Sequence, residues 1–98
     1  MLIKDLNKPG RILSLEETGC LKSGVVILQS GEEIGEHITE NREEVIIVLS
    51  GQATVEIEVE DSQTVNVSQL VYIPQDKKHN IKNTSNNPLH YLYLVSIK

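Results

Sequence analysis

The chain of 98 residues has no tryptophan and no phenylalanine, and its three tyrosines all lie in the C-terminal third. A ligand pocket would therefore be built mainly from aliphatic and polar side chains. Cys20 is the only cysteine, which excludes an intramolecular disulfide and favours a reducing compartment. Long apolar runs are also missing, so the sequence predicts neither a signal peptide nor a membrane span, and we expect a cytoplasmic protein.

Basic residues are scarce as well. Nine Lys and Arg stand against fourteen Asp and Glu, which gives a net charge of −5. This charge repels nucleic acid and anionic membrane surfaces and argues against either as a partner. The length suits one domain, residues 1–98, with residues 1–10 as a candidate N-terminal arm that ends in the turn signal Pro9-Gly10.

Short runs rich in Val, Ile and Leu predict strands, and we find no convincing helix. In the run ATVEIEVE, strict alternation predicts that Val55, Ile57 and Val59 are buried while the glutamates face solvent. About nine short strands indicate an all-β sandwich or barrel. The predicted strands are Arg11–Leu15, Gly24–Gln29, Ile34–Thr39, Glu44–Leu49, Ala53–Glu60, Thr64–Val67, Leu70–Ile73, His79–Lys82 and Leu89–Ile97, with 16–23 as a connection.

Three runs are apolar on both faces: Val25–Leu28, Val45–Leu49 and most of Tyr91–Val95. A strand of a small antiparallel barrel needs apolar side chains on its inner face only. A second copy of the chain is the simplest cover for the outer face, so we expect a homodimer that packs sheet against sheet. The alternative is that the N-terminal arm covers this face alone.

Two stretches, 31–51 and 74–83, carry polar residues and glycines at spacings that resemble the two motifs of the cupin superfamily. The first motif is Gly-x5-His-x-His-x3–4-Glu-x6-Gly, and the second is Gly-x5-Pro-x-Gly-x2-His-x3-Asn. The resemblance implies a single-domain jelly-roll β-barrel of antiparallel strands. The chain matches the two patterns at Gly31, His37, Glu44, Gly51, Pro74, His79 and Asn83.

The chain departs from these motifs at three positions. Thr39 stands where the second histidine of the first motif is expected, and Ser68 and Asp76 replace the two glycines of the second motif. The glycine replacements are mild, because Asp tolerates turn conformations. The Thr39 replacement removes one ligand from the family's metal site.

The resemblance implies a metal site. Cupins bind a divalent metal through the histidines and the glutamate of the two motifs, which leaves His37, Glu44 and His79 as metal ligands here. Two histidines and one carboxylate suit iron(II) or zinc, and we expect iron, manganese, nickel or zinc. The Thr39 hydroxyl is a poor ligand but would hydrogen-bond a metal-bound water. The alternative is a metal-free pocket in which His37 and Glu44 hydrogen-bond each other.

Strand parity sets a condition on this site. His37 and Thr39 share a face, whereas Glu44 has the opposite parity, so a turn or bulge over 40–43 must reset the register. With that reset, we expect His37 and Glu44 on adjacent antiparallel strands, facing each other.

Four further residues are candidates for the pocket. Tyr91 and Tyr93 share a face and lie either at the barrel mouth or at the dimer seam. Tyr72 is a third tyrosine for the mouth, and Gln52 would reach the cavity from the strand after Gly51. Lys77 and Lys78 beside His79 are expected at the surface; at the cavity rim they would favour an anionic ligand.

The resemblance says little about the reaction. A metal in such a barrel would serve the oxidation, isomerisation or decarboxylation of a small organic molecule. No Ser/His/Asp or Cys/His pattern supplies a separate nucleophile, and Glu44 would be a ligand rather than a base. Two alternatives stay open: a non-catalytic module that senses a small molecule or a metal, and a barrel that has lost its site.

Overall fold

The computed structural model describes residues 1–97, and Lys98 lies outside the described residues. Within 1–97 the chain forms nine β-strands and no helix, as predicted. No helix in this part of the chain is long and apolar enough to cross a membrane. The strands are β1 Gly10–Leu13, β2 Leu21–Leu28, β3 His37–Ile38, β4 Arg42–Ser50, β5 Gln52–Ile57, β6 Gln63–Asn66, β7 Leu70–Ile73, β8 Lys78–Lys82 and β9 Leu89–Ile97.

The strands form two antiparallel sheets. One has the order β1-β2-β9-β4-β7 and the other the order β3-β8-β5-β6. Side chains from the inner faces of both sheets make one apolar core, which includes Ile46 and Tyr91 from the first sheet and Val55 and Ile81 from the second. Burial of these apolar side chains is the main force that holds the sheets together. The prediction of an all-β jelly-roll barrel is confirmed.

Seven of the nine strands differ from the predictions at one or both ends, most of all β2, β3 and β5. β3 covers only His37–Ile38 of the predicted Ile34–Thr39. β2 begins at Leu21 rather than at Gly24, so Lys22 belongs to a strand and not to a connection. β5 ends at Ile57, and Val59, which we expected to be buried, is 95% exposed with a φ of 65°. The alternation of apolar residues continues into the turn, where it no longer reflects burial.

Two motif residues that are not predicted metal ligands have structural roles. Gly51, between β4 and β5, has a φ of +82°, and a Cβ there would collide with the carbonyl oxygen of Pro88. Only glycine satisfies both conditions. The amide of Asn83 is buried and donates hydrogen bonds to the carbonyl oxygens of Leu28 and Asn87 at 2.9 and 2.8 Å. It thereby holds the loop before β9 against the end of β2.

The outward face of the five-stranded sheet is apolar. At its β7 edge, Leu70 and Tyr72 are 59% and 51% exposed. The N-terminal arm does not bury its own apolar side chains there, because Leu2 and Ile3 are 55% and 85% exposed. The cover by a second copy stays a prediction. The half-buried residues of this face are Ile27, Val45, Ile47, Leu92 and Leu94.

Candidate metal centre

The structure brings the three predicted ligands together. His37 on β3 pairs directly with His79 on β8, and their ring centroids are 4.1 Å apart. Glu44 on β4 projects from the opposite sheet, and its side chain is buried. One nitrogen of each histidine and one carboxylate oxygen of Glu44 lie within 4.8 Å of one another.

The expected arrangement of the strands was wrong in one respect. His37 and Glu44 are not on adjacent strands, because β3 pairs with β8 whereas β4 pairs with β7 and β9. The two side chains meet across the space between the sheets. The corner at 40–43 does more than reset the register: with Asn41 at a φ of 55°, it carries the chain from one sheet to the other.

Both histidine rings contact a backbone carbonyl oxygen through Nδ1. Nδ1 of His37 lies 2.9 Å from the carbonyl oxygen of Gly35, and Nδ1 of His79 lies 3.1 Å from that of Lys77. A carbonyl oxygen can only accept, so Nδ1 must carry the proton in each ring. Each neutral ring therefore keeps its lone pair on Nε2. A histidine held in this way through its other nitrogen is typical of metal ligands.

Nε2 of His79 is buried and has no hydrogen-bond partner in residues 1–97. It lies 3.3 Å from Oε1 of Glu44, close enough for an ion pair but poorly oriented for a hydrogen bond. Burial lowers the pKa of His79, but Glu44 and the Lys77 carbonyl oxygen outweigh it and raise the pKa above the usual value. A buried carboxylate beside a buried Nε2 is costly unless a proton or a metal cation lies between them. The donor set therefore fits a divalent metal.

Thr39 and Asp76 connect the segments that carry the ligands. Thr39 Oγ1 lies 3.4 Å from Oε1 of Glu44, and the Thr39 carbonyl oxygen accepts a bond from the Asp76 amide at 3.2 Å. Oδ1 of Asp76 accepts a bond from the Asn41 amide at 3.0 Å. These bonds join the turn after β3 to the turn before β8.

Two of the three ligands, His37 and Glu44, line a cavity of about 400 Å³, in the range of about 300–1,000 Å³ found for small-molecule sites; the buried His79 lies behind its wall. Tyr91 and Tyr93 both line it, on the inner face of β9. Burial, with the charge of Glu44 and with Tyr93, raises the pKa of Tyr91, so its phenol stays protonated. The remaining lining residues are Lys22, Val26, Ile34, Ile38, Thr39, Arg42, Ile81 and Val95.

Two of the candidate pocket residues lie elsewhere, and we correct their assignment. Tyr72 points to the outer face, where its hydroxyl donates a hydrogen bond to Glu43 at 2.6 Å. It alternates with Ile73, which takes the inner position. Gln52 is exposed and donates to Oδ1 of Asn66 at 2.9 Å, because the next residue of β5 faces the core.

Lys77 and Lys78 lie at the surface as expected, but two other cations line the cavity. Lys77 and Lys78 are exposed and do not line the cavity, whereas Lys22 and Arg42 do. Period two would have indicated both, since Lys22 shares a face with Val26 in β2 and Arg42 shares a face with Glu44 in β4. The signal was missed because both residues were placed outside the predicted strands.

Comparison with known proteins identifies the family of this fold. A family model for the cupin domain matches residues 24–95. The chain therefore belongs to the cupin superfamily. The comparison with curated proteins finds no match.

Solved structures with the same fold belong to proteins with different descriptions. A protein of Thermotoga maritima described as a predicted oxalate decarboxylase has a TM-score of 0.88 at 17% identity, over 99% of this chain and 100% of that one. The cupin domain of an XRE family transcriptional regulator from Enterobacter cloacae has a TM-score of 0.81 at 25% identity, over 91% and 94%. The Schizosaccharomyces pombe Cnp3 cupin domain has 0.82 at 16%, over 92% of this chain and 64% of that one, so the chain spans just under two thirds of its length.

Proposed function

We propose that this cupin binds one divalent transition metal through His37, Glu44 and His79 and uses it to bind, and to transform, a small organic molecule. The observation that carries the proposal is the shared tautomer: both histidines donate Nδ1–H to a backbone carbonyl, which leaves Nε2 as the ligand atom, and one nitrogen of each lies within 4.8 Å of a carboxylate oxygen of the buried Glu44. The ligand atoms of one metal lie about 4.4 Å apart at most. A small rotation of the exposed His37 ring would bring its nitrogen within this distance of the other two ligand atoms.

When bound, the metal would act as a Lewis acid toward a carbonyl or carboxylate oxygen, which suits decarboxylation, isomerisation or oxidation. The protein supplies the rest of the site. Tyr91, kept protonated by its environment, offers a hydrogen-bond donor in the cavity. Apolar side chains such as Val26 and Ile81 reduce water access to the bound molecule. The similarity to a predicted oxalate decarboxylase supports this class of chemistry.

The test is the metal content of the untagged protein, measured by elemental mass spectrometry after incubation with iron(II), manganese, nickel or zinc. We expect close to one metal per chain in the wild type and in His90→Ala, whose histidine lies outside the cavity. His79→Gln and Glu44→Gln, which keep side-chain bulk, should retain less than a tenth. Wild-type protein that takes up none of the four metals would overturn the proposal, as would full occupancy in His79→Gln.

A second function is a non-catalytic sensor of a small molecule or of the metal itself. The observation that favours it is Thr39, which leaves only three protein ligands in a group that lies within 4.8 Å. The similarity to a domain of a transcriptional regulator supports this class. A small molecule that raises the melting temperature of the metal-loaded protein in proportion to the logarithm of its concentration, without turnover, would favour the sensor.

A further inference from the structure

The cavity is lined by two cationic side chains that are not part of the metal site. Lys22 and Arg42 both line it, although the chain as a whole has a net charge of −5. Among the described residues that line it, Glu44 is the only one with a carboxylate, and it is engaged with His79 and Thr39. Within residues 1–97, neither Lys22 nor Arg42 forms an ion pair with an acidic side chain.

Strand register shows how the two cations are placed. Lys22 on β2 lies opposite Val95 of β9, and Arg42 on β4 lies opposite Ile97 of the same strand. Their backbones are thus two strand spacings apart across β9 and two residues apart along it, or about 12 Å in all. Both positions face inward, because Lys22 shares its face with Val26 and Arg42 with Glu44. At this separation, the long side chains of Lys22 and Arg42 can both reach one small anion that lies between them.

Because both cations are partly buried, their lack of an acidic partner within residues 1–97 points to a bound anion. Both residues are half-buried, and apolar neighbours such as Ile38 and Val95 line the same cavity. Partly desolvated cations without counter-charges are unfavourable unless a ligand supplies the negative charge. The apolar walls favour an organic anion over a fully hydrated inorganic one. Lys22 also lines a second cavity, together with Glu16. Lys22 and Glu16 do not form an ion pair.

We propose that Lys22 and Arg42 select a small organic acid, binding its carboxylate at the mouth of the cavity beside the metal site. The inference rests on the proposed function, because it assigns the substrate class of that same site. Arg42 can present two parallel N–H donors to a carboxylate, and Lys22 adds a point charge from the opposite side. The opposite end of the acid would then point toward His37, Glu44 and His79.

The test uses metal-free protein, so that carboxylate binding and metal binding are measured separately. Lactate and succinate are compared with lactamide and succinamide, their neutral analogues, by calorimetric titration at low salt. We expect both acids to bind and both amides to bind at least about tenfold more weakly, since a charge-assisted hydrogen bond is worth roughly that factor. Lys22→Met and Arg42→Met should each weaken acid binding by about tenfold.

The matched control is Lys8→Met, which removes an exposed lysine from the N-terminal arm and should bind the acids as the wild type does. Lys22→Arg, which keeps the charge, should recover most of the affinity. Arg42→Lys, which keeps the charge but loses the two parallel donors, should recover part of it. His79→Gln should still bind the acids, so a failure of metal binding leaves this result intact.

Four outcomes would overturn the inference. They are amides that bind as tightly as the acids, wild-type affinity for the acids in both Met variants, absence of binding by either acid, and an equal loss in Lys8→Met. Inorganic phosphate that binds more tightly than both acids would overturn the assignment to a carboxylate.

Discussion

The hydroxyl of Thr39 lies 3.4 Å from Oε1 of Glu44, so the residue that replaces a family histidine contacts the ligand carboxylate. Partners of this kind orient metal ligands, and their removal typically costs a factor of about 10–100 in metal affinity. We therefore expect Thr39→Val to weaken zinc binding by about tenfold. Competition with a chromogenic chelator gives the affinity.

The control for this prediction is Thr39→Ser, which keeps the hydroxyl and should bind zinc as the wild type does. If Val and Ser at this position bind equally well, the contact between Thr39 and Glu44 has no role in metal binding. Both variants should unfold at nearly the same temperature without metal, because the side chain is only half-buried.

Gly24 lies directly under the ring of Tyr93. A Cβ on Gly24 would be 2.6 Å from the Tyr93 hydroxyl oxygen and 2.7 Å from a ring carbon. Gly24→Ala must displace this ring, which lines the cavity, and overpacking of this kind costs about 1–3 kcal/mol. Urea denaturation should show this loss in the free energy of unfolding.

Gly19→Ala is the matched control, because within residues 1–97 the added Cβ has no heavy atom within 4 Å apart from its chain neighbours. It should leave the free energy of unfolding unchanged or slightly raised. In a Tyr93→Leu background the cost of Gly24→Ala should largely vanish, since the two changes share one contact. An equal cost in both backgrounds would show that the ring is not the cause.

Most strands could be read from the sequence because they carry apolar residues at buried positions; β3, with two exposed residues, does not. Leu70–Ile73 and Leu89–Ile97 agree with the structure residue for residue. The ligands could be predicted from motif spacing, but their pairing could not. Parity relates His37 to Glu44 along the chain and does not say that the corner between them changes sheets. Lys22 was missed for a related reason: β2 extends beyond its apolar run, and backbone pairing with β9 keeps the polar end in the sheet.

Ser68 and Asp76, which replace the two motif glycines, both adopt the backbone conformation that glycine favours. Their φ angles are 68° and 63°. For a residue with a Cβ this region costs about 1–2 kcal/mol, whereas a glycine loses about 0.5–1 kcal/mol in extra chain entropy. Ser68→Gly should thus raise the free energy of unfolding by about 0.5 kcal/mol, as measured by thermal denaturation.

Asp76→Gly provides the comparison. It relieves the same backbone cost but removes the bond from the Asn41 amide to Oδ1 of Asp76, worth about 1 kcal/mol. This variant should be no more stable than the wild type, and Ser68→Ala should bring no gain either. A loss of stability in Ser68→Gly would contradict the assignment of strain to this position.

The apolar outer face of the five-stranded sheet carries the last prediction. Two copies that pack these faces together would bury Leu70 and Tyr72, which are 59% and 51% exposed in the single chain. A specific dimer needs about 1,200–2,000 Å² of buried surface, and this face continues across β2, β9, β4 and β7. We expect light scattering after size exclusion to give twice the chain mass of 11.0 kDa.

Leu70→Glu should convert this dimer to a monomer, because it places one negative charge from each copy in an apolar interface. The monomer should stay folded, because this side chain lies in solvent in the single chain. The matched control is Val59→Glu, a substitution at a position that is 95% exposed in the turn after β5, in the other sheet. It should leave the dimer intact. A wild-type protein that stays monomeric up to high concentration, or a dimer that Val59→Glu dissociates equally well, would show that this sheet face is not the interface.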